Sequence, residues 1–163
     1  MLLVHHSKWL LPCPLGEILK NKVVLLVEDN PDDEELTRLA FEECRVANKL
    51  VVARNGQEAL DYLFRQGKFS TRSELETPQV IFLDLKLPKV DGLEVLRQLR
   101  ADDRTRLYPV VVLTSSKEEQ DMVECYSLGA NSYIQKPVDY QQFLDAVKEL
   151  GLYWLLLNQT TDR

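Results

Sequence analysis

The sequence predicts a doubly wound α/β fold, a parallel sheet covered by helices on both faces. Apolar runs of strand length alternate, five times from Lys22 onward, with segments whose apolar residues recur at helical spacing. The strand segments are apolar almost throughout, as strands buried on both faces should be; a half-exposed strand would alternate. Cap and turn residues stand between the two kinds of segment, where helices must start and stop.

VVLLV (Val23–Val27) is the first strand, and Asn30-Pro31 starts the first helix with a capping side chain followed by proline at the first helical position. Leu36, Leu39, Ala40, Glu43 and Cys44 continue it. The acids Asp32, Asp33, Glu34 and Glu35 suit its first turn, where the helix dipole favours negative charge. LVVA (Leu50–Ala53) is the second strand. Asn55-Gly56 turns the chain into a helix marked by Ala59, Leu60, Leu63 and Phe64, and the polar stretch from Gly67 to Gln79 reads as a long connection. VIFLDL (Val80–Leu85) is the third strand, and Gly92 opens a helix carrying Leu93, Val95, Leu96 and Leu99. VVVLT (Val110–Thr114) is the fourth. Ser116 to Glu119 fits a capping box for the helix with Met122, Val123, Cys125, Tyr126 and Leu128, which Gly129 ends. SYI (Ser132–Ile134) is a short fifth strand, and Pro137 and Asp139 lead into a last long helix.

The chain has 163 residues, enough for one ordinary domain. Its net charge of −6 argues against a general affinity for nucleic acid or for anionic membranes. Cys13, Cys44 and Cys125 contain no CxxC pair, so neither zinc nor a disulfide framework is suggested, and reduced thiols in a cytoplasmic protein are expected. Residues 1–20 read as a tail outside the fold. His5 and His6, the only histidines, interrupt its apolar patches, and no run approaches the roughly 20 residues of a membrane-spanning helix. A folded domain is expected over 21–150 and a helical extension over 151–163.

In such a sheet, ligands bind beyond the carboxyl ends of the strands. There the sequence puts Glu28-Asp29 after the first strand, Asp84 at the end of the third, Thr114-Ser115-Ser116 at the fourth, and Lys136-Pro137 after the fifth. Any one of these alone is ordinary: a cap, a strand-end hydroxyl, a surface lysine. Together they are not, because acids gathered without a cation repel one another and favour protonation. A hard divalent cation with oxygen ligands resolves the conflict, and Mg2+ suits it. Lys136 then faces an anion held by that metal, and Thr114 or Ser115 can donate a hydrogen bond to it. That is a phosphoryl-transfer site with a carboxylate able to act as nucleophile.

Glu28-Asp29, Asp84, Thr114, Tyr133 and Lys136-Pro137, with LDLKLPKVDGLEVL around Asp84 and LGANSYIQKP near the end, resemble the receiver domains of two-component response regulators over about Asn21 to Leu150. The resemblance implies a flavodoxin-like (βα)5 sheet with strand order 2-1-3-4-5. It implies Asp84 as phosphoacceptor from a phosphohistidine on a sensor histidine kinase. It implies Mg2+ held by Glu28, Asp29, Asp84 and the backbone carbonyl of Lys86, with Asp29 the direct carboxylate and Glu28 acting through water. Lys136 would pair with phosphoryl oxygens, Thr114 would move to hydrogen-bond the phosphoryl group, and Tyr133 would change rotamer with it. The Lys136–Pro137 bond is expected to be cis. The first acid is Glu28 where the most familiar members have Asp. Lys86 and Ser116 occupy positions that tune phosphoryl lifetime in the family, so Lys86→Asn is expected to change the rate of autodephosphorylation.

About 13 residues follow Leu150, too few for a DNA-binding module, so protein contact is the expected output. Phe143, Val147, Leu150, Trp154 and Leu157 fall at coiled-coil-like spacing. Trp154, Leu155 and Leu157 are expected to project as an apolar patch forming a homodimer seam; the competing expectation is a helix packed on the N-terminal tail. The long connection and YWLLLN resemble the response regulators that partner bacterial phytochromes. Two other functions share the site chemistry or the fold. An aspartyl-phosphate hydrolase would want an acid two residues after its nucleophile, where Lys86 stands. A degenerate receiver would act as a constitutive interaction module.

Overall fold

The computed structural model describes residues 22–43, 48–137 and 139–158; the expected tail at 1–20, with both histidines and Cys13, lies outside these, as does Cys44. Within them run β1 (Lys22–Val27), α1 (Pro31–Glu43), β2 (Asn48–Ala53), α2 (Gly56–Leu63), β3 (Pro78–Leu83), α3 (Gly92–Ala101), β4 (Val110–Thr114), α4 (Glu119–Ser127), β5 (Ser132–Gln135) and α5 (Tyr140–Leu152). Every strand pairs in parallel with its neighbour, in the order β2-β1-β3-β4-β5. This is the expected flavodoxin-like sheet.

Strand periodicity explains the two layers. Leu25, Val27, Ile81, Leu83, Val110 and Val112 pack against α2, α3 and Cys125 of α4. Their neighbours along each strand, Val24, Leu26, Val80, Phe82, Val111 and Leu113, pack against Ala40 and Phe41 of α1 and against α5. Both faces are apolar because both are covered. Helix starts follow the side chains. Asn30 Oδ1 accepts the amides of Asp32 and Asp33, and Asn55, Asp91 and Asp139 each accept an amide three residues on.

Four expectations need correction. β3 runs from Pro78 to Leu83, so Asp84 and Leu85 lie beyond the strand, where the amide of Gly92 bonds the Leu85 carbonyl at 2.7 Å. Ser116 does not close a capping box. Its hydroxyl donates to Asp121 Oδ2 and accepts the Glu118 amide at 3.3 Å, and α4 starts at Glu119 without a side-chain cap. No cis peptide occurs among the described residues, so Lys136–Pro137 is trans, the form that an X–Pro bond favours by about 0.5–1 kcal/mol.

The fourth concerns the C-terminal extension. After α5 the chain widens into a π-helical turn, Tyr153–Leu157, closed by the Asn158 amide on the Tyr153 carbonyl at 2.7 Å. Trp154 (6% exposed) and Leu155 (0%) continue the face of α5 that Phe143, Leu144 and Val147 bury against the core beside α1. Lys22 Nζ on β1 donates to the Leu155 carbonyl at 2.5 Å and ties the turn to the sheet. Phe143, Val147 and Trp154, expected on a seam between two copies, are therefore buried in their own chain, and Leu150 packs partly against the same core. Of the five seam residues only Leu157 is exposed, at 70%.

Candidate phosphoryl-transfer site

The sheet itself places the reactive side chains. Glu28 and Lys136 each follow the last residue of their strand or stand directly after it, and Asp84 does the same at β3, with their amides extending the ladders. The Glu28 amide bonds Ala53 O at 3.0 Å, the Asp84 amide bonds Val27 O at 3.0 Å, and the Lys136 amide bonds Thr114 O at 2.7 Å. Backbone pairing thus holds these side chains at one rim, where β1 and β3 meet and the strand order reverses.

Glu28 (2% exposed), Asp84 (6%) and Lys136 (9%) are buried, and Asp29 is exposed beside them. Lys136 Nζ lies 2.5 Å from Glu28 Oε2, 2.9 Å from Asp33 Oδ2 and 3.2 Å from Asp84 Oδ2. Burial pushes the Glu28 carboxyl up to about 7; the Lys136 ammonium pulls it down and the Asp84 carboxylate adds to the rise. Burial works against the charge on Lys136, but Glu28 and Asp84 outweigh it and hold the ammonium above its ordinary range. The cluster keeps more negative charge than one lysine balances.

One carboxylate oxygen each from Glu28, Asp29 and Asp84 falls within 4.8 Å of the others. Oxygen ligands at this spacing, two buried and one open to solvent, fit a hard divalent cation that retains water. A proton on Glu28 near neutral pH is what such a cation would displace. Lys86 is exposed two residues beyond Asp84.

Thr114 is fully buried at the end of β4, and its Oγ1 accepts the Ser116 amide at 3.2 Å. The Tyr133 hydroxyl donates to the Ser116 carbonyl at 3.4 Å, and the Tyr133 amide donates to the Tyr126 hydroxyl at 3.2 Å. Thr114 and Tyr133 therefore meet on one loop. Ser115 is exposed, and Ser116 is engaged with Asp121.

The helix-start reading of the acids missed two roles. Asp33 belongs to the site through Lys136. Glu34 is 8% exposed and pairs with Arg54 at 2.9 Å and Arg38 at 3.1 Å. Nothing in the local pattern separated Asp33 from Asp32, Glu34 and Glu35. Only the first turn of α1, lying over the end of β1, picks it out.

A buried carboxylate, two neighbouring acids and a lysine, set at the switch point of a five-stranded parallel sheet, are the arrangement expected of a receiver domain. The family model for the response regulator receiver domain matches residues 24–148, and the chain belongs to that family. The curated relative FilR2 of Methanothrix harundinacea, a probable methanogenesis regulatory protein, is 40% identical over 89% of this chain and 93% of its own. Response regulator Rcp1 of Synechocystis sp. is 34% identical over 82% of this chain and 89% of its own. The Mn2+-bound crystal structure of Rcp1 matches with a TM-score of 0.81 at 33% identity, covering 86% of this chain and 99% of that one. The phosphorylated cyanobacterial phytochrome response regulator RcpA matches with a TM-score of 0.81 at 37% identity over the same shares. The bacteriophytochrome response regulator AtBRR is 54% identical, with a TM-score of 0.67, covering 85% of this chain and 98% of that one. The chain is thus a receiver domain similar to stand-alone response regulators.

Proposed function

We propose that the chain accepts a phosphoryl group on Asp84 from the phosphohistidine of a sensor histidine kinase and signals by protein contact. The observation that carries this is the Asp84 carboxylate, buried at the rim 3.2 Å from Lys136 and grouped with Glu28 and Asp29. An Asp84 oxygen attacks phosphorus, the phosphorus–nitrogen bond to the kinase imidazole breaks, and the imidazole nitrogen keeps the electron pair. A divalent cation such as Mg2+, held by Glu28, Asp29, Asp84 and the Lys86 carbonyl, supplies charge neutralisation in the transferring group. Lys136 exchanges its Asp84 contact for phosphoryl oxygens. The Thr114 hydroxyl turns to the phosphoryl group, and Tyr133 moves into the space that it leaves. No organic substrate is turned over.

Similarity to RcpA and AtBRR supports a phytochrome as the kinase. The receiver occupies 21–150 and 151–163 is its extension, in a protein of the cytoplasm. Among the described residues no helix is long and apolar enough to cross a membrane. A homodimer remains part of this reading, but on Leu152, Tyr153, Leu156 and Leu157, which are exposed, rather than on the buried seam.

Intact mass after incubation with Mg2+ and acetyl phosphate tests the reading. A phosphoryl adduct on the wild type that requires Mg2+ and is lost in Asp84→Asn is expected. No adduct from any donor would show a degenerate module, and steady phosphate release from organic monoesters would show a hydrolase.

A further inference from the structure

The long connection between α2 and β3 is not used by the phosphoryl site. It forms two short 3-10 turns, Gly67–Phe69 and Glu74–Glu76, at the rim of the sheet opposite Asp84. There it borders a cleft of about 320 Å3 lined by Phe64, Arg65, Arg72, Glu74, Arg104 and Tyr108, among others. That volume lies at the lower end of the roughly 300–1,000 Å3 typical of small-ligand sites.

Arg72 is the unusual member. It is 8% exposed, yet it forms no ion pair with a carboxylate among the described residues. Its Nε donates to the Tyr62 carbonyl at 2.9 Å and its Nη1 to the Ser73 carbonyl at 3.2 Å, and the guanidinium lies 4.6 Å from the Tyr62 ring centre. Nη2 has no hydrogen-bond partner among the described residues. Acids close to the cleft or to its lining residues make their direct ion pairs with other cations. Glu74 faces Arg65 at 3.5 Å, Glu76 pairs with Lys49, and both oxygens of Asp102 bond Arg104. A buried cation that no carboxylate contacts directly is costly even though Glu76, paired with Lys49, acts on Arg72 from a distance, and an oxyanion in the cleft would offset that cost. Aromatic walls accompany the charge: Phe64 and Tyr108 line the cleft, and Arg104 stacks on Phe64 at 5.1 Å.

We propose that this cleft binds a small phosphate-bearing metabolite with a planar ring, its phosphate on Arg72 and its ring against Phe64 and Tyr108. The phosphate chemistry is shared by free inorganic phosphate and a mononucleotide, and the test separates them. The full chain is titrated with inorganic phosphate and with AMP in EDTA, so that the carboxylate site has no cation with which to hold phosphate. Binding is read by calorimetry and by amide shifts in 64–77 and 104–108. Saturable AMP binding with shifts confined to those residues is expected, at least tenfold weaker in Arg72→Lys and several-fold weaker in Arg104→Gln. Arg104 is exposed, so its variant serves if Arg72→Lys fails to fold. Equal affinity for phosphate and AMP would keep the oxyanion site and overturn the ring contact. No saturable binding of either probe, or AMP binding unchanged in Arg104→Gln and Arg72→Lys, would overturn the proposal.

Discussion

Lys136 Nζ lies 2.9 Å from Asp33 Oδ2, closer than to Asp84 Oδ2 at 3.2 Å. The lysine that would pair with the phosphoryl oxygens is thus shared with a carboxylate on the first turn of α1. To reach phosphoryl oxygens it must loosen from Asp33, and Asp33 adds negative charge where an anionic donor arrives. Asp33→Asn is therefore expected to speed phosphorylation by acetyl phosphate at saturating Mg2+ by about threefold to tenfold, on the order of 1 kcal/mol for one partly exposed charge. Rapid-quench measurement of the rate constant checks this; a slower variant would show that Asp33 positions Lys136 instead of competing for it.

Gly92 lets the loop after β3 close on the start of α3. A Cβ there would lie 2.2 Å from the Asp84 carbonyl oxygen and 2.7 Å from Leu85 Cα, both backbone atoms. Gly92→Ala must move the peptide of Asp84, the proposed phosphoacceptor. A loss of about 1–3 kcal/mol of stability is expected, typical of overpacking. A displaced nucleophile also costs rate, so phosphorylation should slow by tenfold or more. Urea unfolding and phosphorylation kinetics on one sample measure both.

The C-terminal turn separates core from surface within four residues. Trp154→Ala should destabilise the chain by about 3–5 kcal/mol, as removal of a buried indole does. Leu157→Glu, at a side chain 70% exposed, should leave the unfolding midpoint unchanged and weaken self-association in sedimentation equilibrium. A stable Trp154→Ala protein, whatever its oligomeric state, would contradict the folded-back turn.

Cys125 sets an alkaline limit. Burial, followed by Asp121 and Glu124, pushes its thiol from an ordinary 9 up to about 11. The folded state then holds the proton more tightly than the unfolded state. Stability from this group is complete below about pH 9 and is lost as pH rises toward 11, to an extent of order 2 kcal/mol. Cys125→Ala should flatten that part of a stability profile measured by urea unfolding; an unchanged slope would assign it to other groups, such as Tyr62, whose burial raises it to about 12.

Glu28, Asp29, Asp84, Thr114 and Lys136 were legible in the sequence. Each stands at or just beyond the end of an apolar run, and a parallel sheet brings those ends to one rim. Asp33 was not legible, because a first-turn acid looks the same whether it faces solvent or a lysine 103 positions away. The seam was misread for a related reason. Spacings of three and four identify a helical face but not what covers it: Trp154 continues the face that Phe143 and Val147 bury in their own core, and Leu157, at the end of the π-helical turn, is the exposed member.

By itself, then, the sequence determined the alternation of strands and helices, the two apolar faces and the acids, hydroxyl and lysine of one rim. These depend on local periodicity and on the direction of parallel strands. Tertiary structure alone decided which carboxylates share Lys136, which face of the last helix is covered, and that Arg72 is buried beside a cleft with no direct ion pair to a carboxylate among the described residues. Those depend on contacts between elements far apart in the chain, and a pattern within one element carries no record of what packs against it.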